Sequence, residues 1–225
     1  MGDAGDRGRR YVLDPALRAR LSGRGFRQAL DVGCGEGRVC RLMQELGIET
    51  VGIDPTVAMV DEARRRDPVG DYRVASAERL PFADGSFDLV VSCLTLIDIT
   101  DFRTGISEMG RVLTPGGSLV AANLTPVISA GMNKGWRRDD RGRPVEFAID
   151  RYLGEWAEWV EWADIRVLNW HRPLSAYVQA YLAAGLTLVA YEDLLPVGDY
   201  GEEERGLYER APWFDYMEWR KPAAG

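Results

Sequence analysis

The stretch Leu30-Asp31-Val32-Gly33-Cys34-Gly35-Glu36-Gly37 sets three glycines at alternate positions. Glycine lets the backbone turn sharply and lets a ligand approach where a Cβ would stand in the way. A helix pattern follows, so its free amides and positive dipole end point at whatever the loop holds. Two cofactor chemistries compete here. A dinucleotide site uses GxGxxG, with amides around a pyrophosphate. This chain has GxGxG and an arginine at position 38, which misses the third glycine. Asp31 stands just before the loop, where a carboxylate repels a pyrophosphate and can hold a cationic amine. Asp54 ends the next apolar run, where a carboxylate can accept both hydroxyls of a ribose. Together they suit a nucleoside that bears an amino acid. The alternative is a glycine-rich turn without a ligand.

Other residues could do chemistry further along. His171 is the only histidine, in Asn169-Trp170-His171-Arg172-Pro173-Leu174, and imidazole titrates near neutrality. It is the candidate base; the competing role is structural, near a helix that starts at Pro173. Asp98 in Leu96-Ile97-Asp98-Ile99 either contacts an acceptor or caps a helix beginning near Asp101. Trp156, Trp159 and Trp162 recur every three residues beside Glu155, Glu158 and Glu161. On a helix they make an aromatic stripe with an acidic flank, either packing or a wall for a flat or cationic acceptor. No HxxxH, CxxC or tight carboxylate triad argues for a metal.

These residues need a scaffold, and its rhythm is legible. Apolar runs at 28–32, 50–53, 72–75, 87–93 and 118–123 read as strands. Helix patterns at 38–46, 56–66 and 101–113 lie between them, and one from Asp14-Pro15 to Leu21 precedes them, with Asp14 at its cap. The strand at 87–93 is almost wholly apolar, as expected when both faces are covered. Such alternation predicts an α/β, doubly wound, mostly parallel Rossmann-like sheet of seven strands. The remaining pieces are a helix at 173–184 and strands at 186–191 and 213–220, the last two separated by an acidic linker around 201–205. Residues 1–10 read as a mobile charged tail. Residues 125–172 break the rhythm, hold five of the seven tryptophans and read as a loop-rich inserted cap. The expected division is one domain: tail and helix 1–27, cofactor-binding half 28–124, cap 125–172 and a C-terminal part of the core 173–225.

Composition narrows the function classes. The 225 residues allow about one and a half ordinary domains. A 46% hydrophobic chain can bury a full core. The net charge of −7 lacks the basic footprint of a nucleic-acid binder. No apolar run reaches membrane-spanning length, and the first ten residues lack the apolar core of a secretory signal. Cys34, Cys40 and Cys93 form an odd set that suggests reduced thiols and a cytoplasmic location.

The ordered stretches 30–38, 51–55, 75–81, 87–92 and 111–117 resemble those of class I S-adenosylmethionine-dependent methyltransferases, of the bacterial small-molecule type. The resemblance implies S-adenosylmethionine as cofactor and no metal. It implies that Gly33, Cys34, Gly35 and Gly37 line the methionyl-ribose part, with Asp31 near the amino group. Asp54, followed by Pro55, would take the ribose hydroxyls, and Met59 would pack on adenine. Ala77 and Glu78 would flank the adenine edge, and Cys93 and Leu94 would face the sulfonium methyl. Where many relatives carry aspartate before Ala77-Glu78, this chain has Ser76, so the bond to the adenine amino group falls to Ser76, Glu78 or backbone. Similar His-Arg-Pro-Leu segments occur in related methyltransferases. Tyr11, Asp98, Trp136, Tyr152 and Trp170 are the candidate acceptor contacts.

The implied activity is in-line methyl transfer to a small-molecule oxygen, by a monomer or homodimer without nucleic-acid or membrane partners. N- or C-methylation is the near alternative. A nicotinamide-dependent oxidoreductase is disfavoured by the GxGxG spacing and the lack of a Tyr-x-x-x-Lys pair. A noncatalytic cofactor-binding protein is a further alternative.

Overall fold

The computed structural model describes residues 6–132, 134–162 and 165–223. Its first helical residues come earlier than the sequence suggests. A π-helical turn, Arg9–Leu13, runs straight into α1, Asp14–Leu21. Val12, Leu13, Leu17 and Leu21 are buried along this run, and that apolar stripe holds the segment down. The expected tail therefore shrinks; residues 1–5 lie outside the described residues. Asp14 is inside the helix rather than at its cap, and its carboxylate takes the Arg38 Nε at 3.0 Å.

The core alternates as expected: β1 Gln28–Val32, α2 Arg38–Glu45, β2 Glu49–Asp54, α3 Val57–Arg66, β3 Asp71–Val74, β4 Phe87–Cys93, α4 Phe102–Val112 and β5 Leu113–Leu124. After the middle segment come α6 Leu174–Ala183, β10 Thr187–Leu194, α7 Glu202–Arg210 and β11 Phe214–Arg220. The seven core strands form one sheet in the order β10-β11-β5-β4-β1-β2-β3. Strands β3, β2, β1, β4 and β5 are parallel, whereas β11 runs antiparallel to both β5 and β10. Alternate side chains feed two cores. Leu30, Val90 and Leu119 face α4 and α6, with Phe102, Ile106 and Tyr181. Ala29, Leu89, Val91 and Val120 face α1 and α2, with Leu17, Leu42 and Met43. Burial on both faces is why these strands read as continuous apolar runs.

Two further expectations are corrected. The acidic linker contains α7, whose Glu202, Glu203 and Glu204 occupy the first turn and Arg210 the last. That distribution complements the helix dipole, so the charge run favours a helix. The aromatic stripe is not helical: β8 Trp156–Trp162 and β9 Ile165–His171 pair as an antiparallel hairpin. Val160 pairs with Val167 and Glu161 with Arg166, and such cross-strand matches outweigh the three-residue tryptophan spacing. The side chain of Trp162 lies outside the described residues. Between β5 and this hairpin come α5 Pro126–Ala130 and a second hairpin, β6 Gly135–Arg138 with β7 Pro144–Ala148.

Candidate functional site

Strands β1, β2 and β4 bring their carboxyl ends together, and the glycine loop leaves β1 there. The Gly33 and Cys34 amides both donate to the Ile53 carbonyl of β2 at 2.8 Å, which turns the chain out of the sheet. Gly33 and Gly37 adopt φ of 76° and 82°, the left-handed region that favours glycine. A Cβ on Gly33 would overlap Thr95, and one on Gly37 would sit 2.8 Å from the Tyr72 ring. Gly35 differs: nothing lies within 4 Å of where its Cβ would stand. Protein thus backs the loop at its first and third glycines, and the loop is open at the second.

Asp54 borders that opening. Its Oδ2 accepts the Gly35 amide at 3.1 Å and its Oδ1 the Thr56 amide at 2.8 Å. Asp31 is buried in β1 and accepts the Cys40 thiol at 3.4 Å. Burial pushes the Asp31 carboxyl up to about 7; the Cys40 bond opposes this, Asp54 adds repulsion, and Arg9 of the π-helical turn pulls it back. A cation brought beside Asp31 would relieve the cost of burying it. The Cys34 thiol is held well above the usual thiol range, first by burial and then by Asp31.

Strand β4 ends in a strained step. Cys93 is buried, and burial pushes its thiol up to about 12, so it stays protonated. Leu94 follows at φ 57°, a left-handed conformation for a side chain that rarely adopts it. Its amide donates to Ala122 of β5 at 2.8 Å, and the Thr95 hydroxyl lies 3.3 Å from the Gly33 carbonyl. Such outliers cost about 1–3 kcal/mol and cluster where a backbone must present something. Sequence reading did not find this feature, because a leucine after an apolar strand carries no turn signal.

The remaining cofactor candidates lie to either side. Pro55 and Met59 are exposed on the α3 side of Asp54, Met59 at 38%. The Ser76 hydroxyl bonds the Glu78 carboxylate, and the Glu78 amide donates back to Ser76 Oγ at 3.3 Å. Ala77 between them is buried. The serine and the glutamate thus orient one another.

The acceptor candidates divide into two groups. Asp98 stands at the rim after β4, with its Oδ1 accepting the Asn169 side-chain amide at 2.5 Å. Protein mass around it raises its carboxyl to about 6, the Asn169 bond opposes this, and repulsion from Asp54 adds to the rise. It caps no helix: Asp101 does so, accepting the Thr104 amide at 3.1 Å. Trp170 donates its amide to Ile97 at 2.7 Å, beside the same loop. Tyr152 lies behind, its ring 5.7 Å from that of His171. The other two candidates engage different partners. Tyr11 packs edge-on to Tyr200, and its carbonyl accepts the Val197 amide at 2.9 Å. Trp136 packs between Phe147 and the Arg210 guanidinium.

His171 is fully buried with both ring nitrogens engaged. Nε2 lies 2.8 Å from the Tyr152 carbonyl and Nδ1 2.7 Å from the Ser129 hydroxyl. A carbonyl can only accept, so Nε2 carries the proton and Nδ1 accepts from Ser129. Burial also lowers the His171 pKa, which keeps the ring neutral. No nitrogen is left to receive an acceptor's proton. His171→Gln is expected to lower the unfolding midpoint, by about 1–3 kcal/mol of lost buried hydrogen bonding, with cofactor affinity kept. An unchanged midpoint together with lost turnover would restore it as a base.

Its neighbour Arg172 holds the post-β4 loop. The buried guanidinium donates to the carbonyls of Leu96 at 2.8 Å, Ile99 at 2.6 Å and Thr100 at 3.1 Å. It also lies 4.3 Å over Phe102 and 4.8 Å over Trp170. The sequence offered a signal, an arginine next to the lone histidine, but not the three carbonyls it would meet. Among the described residues no cluster of metal-ligating side chains occurs, and no helix is long and apolar enough to cross a membrane.

Residues 30–121 match the methyltransferase domain family. The chain is 35% identical over 125 residues to a malonyl-[acyl-carrier protein] O-methyltransferase of Enterobacter lignolyticus, covering 56% of this chain and 50% of that protein. It is 40% identical over 117 residues to a demethylmenaquinone methyltransferase of Beutenbergia cavernae, covering 52% and 47%. The matches therefore span about half the length of these curated relatives. Over nearly the whole chain the fold is similar to that of an S-adenosylmethionine dependent methyltransferase from Mesorhizobium loti. The TM-score is 0.79 at 29% identity, covering 92% of this chain and 96% of that one.

Proposed function

We propose that the chain is a class I S-adenosylmethionine-dependent methyltransferase of the small-molecule type and that it methylates an oxygen of a small-molecule acceptor; the methyltransferase domain match and the likeness to solved methyltransferases support the reading. The observation that carries the reading is the opening at Gly35, bordered by the carboxylate of Asp54, with the buried Asp31 carboxyl near enough to feel the Asp54 charge. A cradle that a Cβ would fill, with a buried acid short of charge compensation, fits a ligand that brings a ribose diol and an ammonium group.

S-adenosylmethionine supplies a methyl already activated by a sulfonium, so the protein's task is alignment and exclusion of water. Asp54 would accept the ribose hydroxyls while it keeps the Gly35 amide in place. Asp31 would face the amino group. Ser76, Ala77 and Glu78 would border adenine, with Met59 over its face. Cys93 and Leu94, fixed by the strained turn, would define where the acceptor oxygen stands. Asp98 is the group suited to hold the acceptor's proton, since its carboxylate stands at the rim of the post-β4 loop with one oxygen held by Asn169 and its pKa lies above the usual carboxylate value.

The reading predicts a pH dependence. A cation binds ionised Asp31, and below about 7 the free protein must first lose that proton. Affinity for S-adenosylhomocysteine should fall as pH drops from neutrality, by up to about tenfold per pH unit, and level off above it. A flat profile between pH 5.5 and 7.5 would contradict the role of Asp31.

We also propose that the partner is the small molecule alone, with no nucleic acid and no membrane, that the chain acts in the cytoplasm, and that it is a monomer or homodimer. The test of activity is transfer of a labelled methyl from S-adenosylmethionine to phenols, hydroxy acids and amines. Label on oxygen supports the proposal, and label on nitrogen or carbon redirects it. Tight S-adenosylhomocysteine binding with no transfer to any acceptor would indicate a noncatalytic binder.

A further inference from the structure

Behind the post-β4 loop lies a second polar place. Asn123 near the end of β5 and Asp215 at the start of β11 stand opposite each other in the antiparallel register, and both are buried. Tyr177 and Tyr181 of α6 close over them, and Leu96 of the post-β4 loop forms part of the wall. The cavity is small, about 10 Å³, and partly open, with room for one water-sized group. Two buried polar atoms at its wall lack any partner, Asn123 Oδ1 and the Tyr181 hydroxyl. Burial raises the Asp215 carboxyl to about 8, nearby Asp193 adds repulsion, and backbone amides oppose the rise. No lysine or arginine lines the space.

Three oxygens that can accept thus face one small volume. Burying unpaired polar atoms costs about 1–3 kcal/mol each, so a group that pairs them is strongly favoured. An anion offers no donor, a hydroxyl offers one, and a water molecule offers two but no charge. A primary ammonium offers three, is the size of a water molecule and carries the charge that a buried carboxylate lacks.

We propose that this cavity is an amine subsite, in which Asp215, Asn123 Oδ1 and the Tyr181 hydroxyl receive the primary ammonium group of the acceptor. Leu96 belongs to the post-β4 loop that also carries Asp98, so the subsite shares a wall with the loop assigned to the acceptor. The acceptor then carries an amine apart from the atom that is methylated. The inference rests on the methyltransferase reading only for calling its occupant the acceptor; the subsite itself is built from residues that reading does not use.

The test is an NMR titration of the full chain, saturated with S-adenosylhomocysteine, that follows the Asn123 side-chain amide. Propylammonium and its neutral analogue propan-1-ol are the probes. The expected result is a saturable shift with propylammonium and at least tenfold weaker binding of propanol. Asp215→Asn should abolish that preference. Tyr181→Phe, which keeps the ring stacked on Trp219, should weaken propylammonium severalfold. Equal binding of the two probes, no shift with either, or an unchanged preference in both variants would overturn the subsite. Failure of S-adenosylhomocysteine to bind, with the amine preference intact, would count against the methyltransferase reading alone.

Discussion

Arg172→Met is expected to destabilise the protein by about 3 kcal/mol, because it strands the buried carbonyls of Leu96 and Ile99 and releases the partly buried one of Thr100. For a chain of this size that is a fall in melting temperature of about 6–12 °C. Methionine keeps much of the volume against Phe102 and Trp170, so the loss reports the hydrogen bonds rather than a cavity. Arg172→Lys should recover only part of it, since an ammonium cannot reproduce the planar fork that reaches three acceptors. The same change loosens the loop that carries Asp98, so turnover should fall alongside stability. Thermal and urea unfolding of the three proteins decide the matter. A methionine variant within 0.5 kcal/mol of the parent would mean that the carbonyls find other partners.

Asp54→Ala is expected to weaken S-adenosylhomocysteine binding by about 2–3 kcal/mol, roughly 30- to 150-fold, with the fold intact. Two effects add. The ribose hydroxyls lose a charged acceptor, and the Gly35 and Thr56 amides lose the carboxylate that fixes them. Asp54 sits at the end of β2 with its side chain at the opening, so no buried cavity follows its removal. Asp54→Asn keeps the shape and should lie between the two. Calorimetry on the three proteins gives the comparison. A loss under threefold in the alanine variant would place the ribose elsewhere.

How much of this was legible depends on the kind of signal. The parallel core could be read because Leu89, Val90 and Val91 are buried on both faces of the sheet and so form an uninterrupted run. The cradle could be read because left-handed turns call for glycine, and Gly33 and Gly37 take such angles. The tryptophan segment misled because a three-residue spacing matches helical periodicity. Its true partner strand, Ile165–His171, reveals itself only through pairing. The hairpin also explains His171. Trp156 lies across from it in the register and stacks near it, while Ser129 and Tyr152 take its nitrogens. None of those contacts is local in sequence. Asp215 escaped notice for a similar reason, since a lone aspartate in Phe214–Arg220 gains meaning only opposite Asn123. Single-residue chemistry was thus readable where backbone conformation demanded a residue type, and unreadable where distant strands supplied the partner.

The central claim is that the opening at Gly35, beside Asp54 and served by the Asp31 carboxyl, holds the nucleoside and amino-acid halves of S-adenosylmethionine. Isothermal titration of the purified chain with S-adenosylhomocysteine, run beside NADH, tests it most directly. The account predicts saturable binding of S-adenosylhomocysteine at one site per chain, weaker at pH 5.5 than at pH 7.5, and no heat from NADH. Saturable NADH binding without S-adenosylhomocysteine binding, or no binding of either, would contradict it.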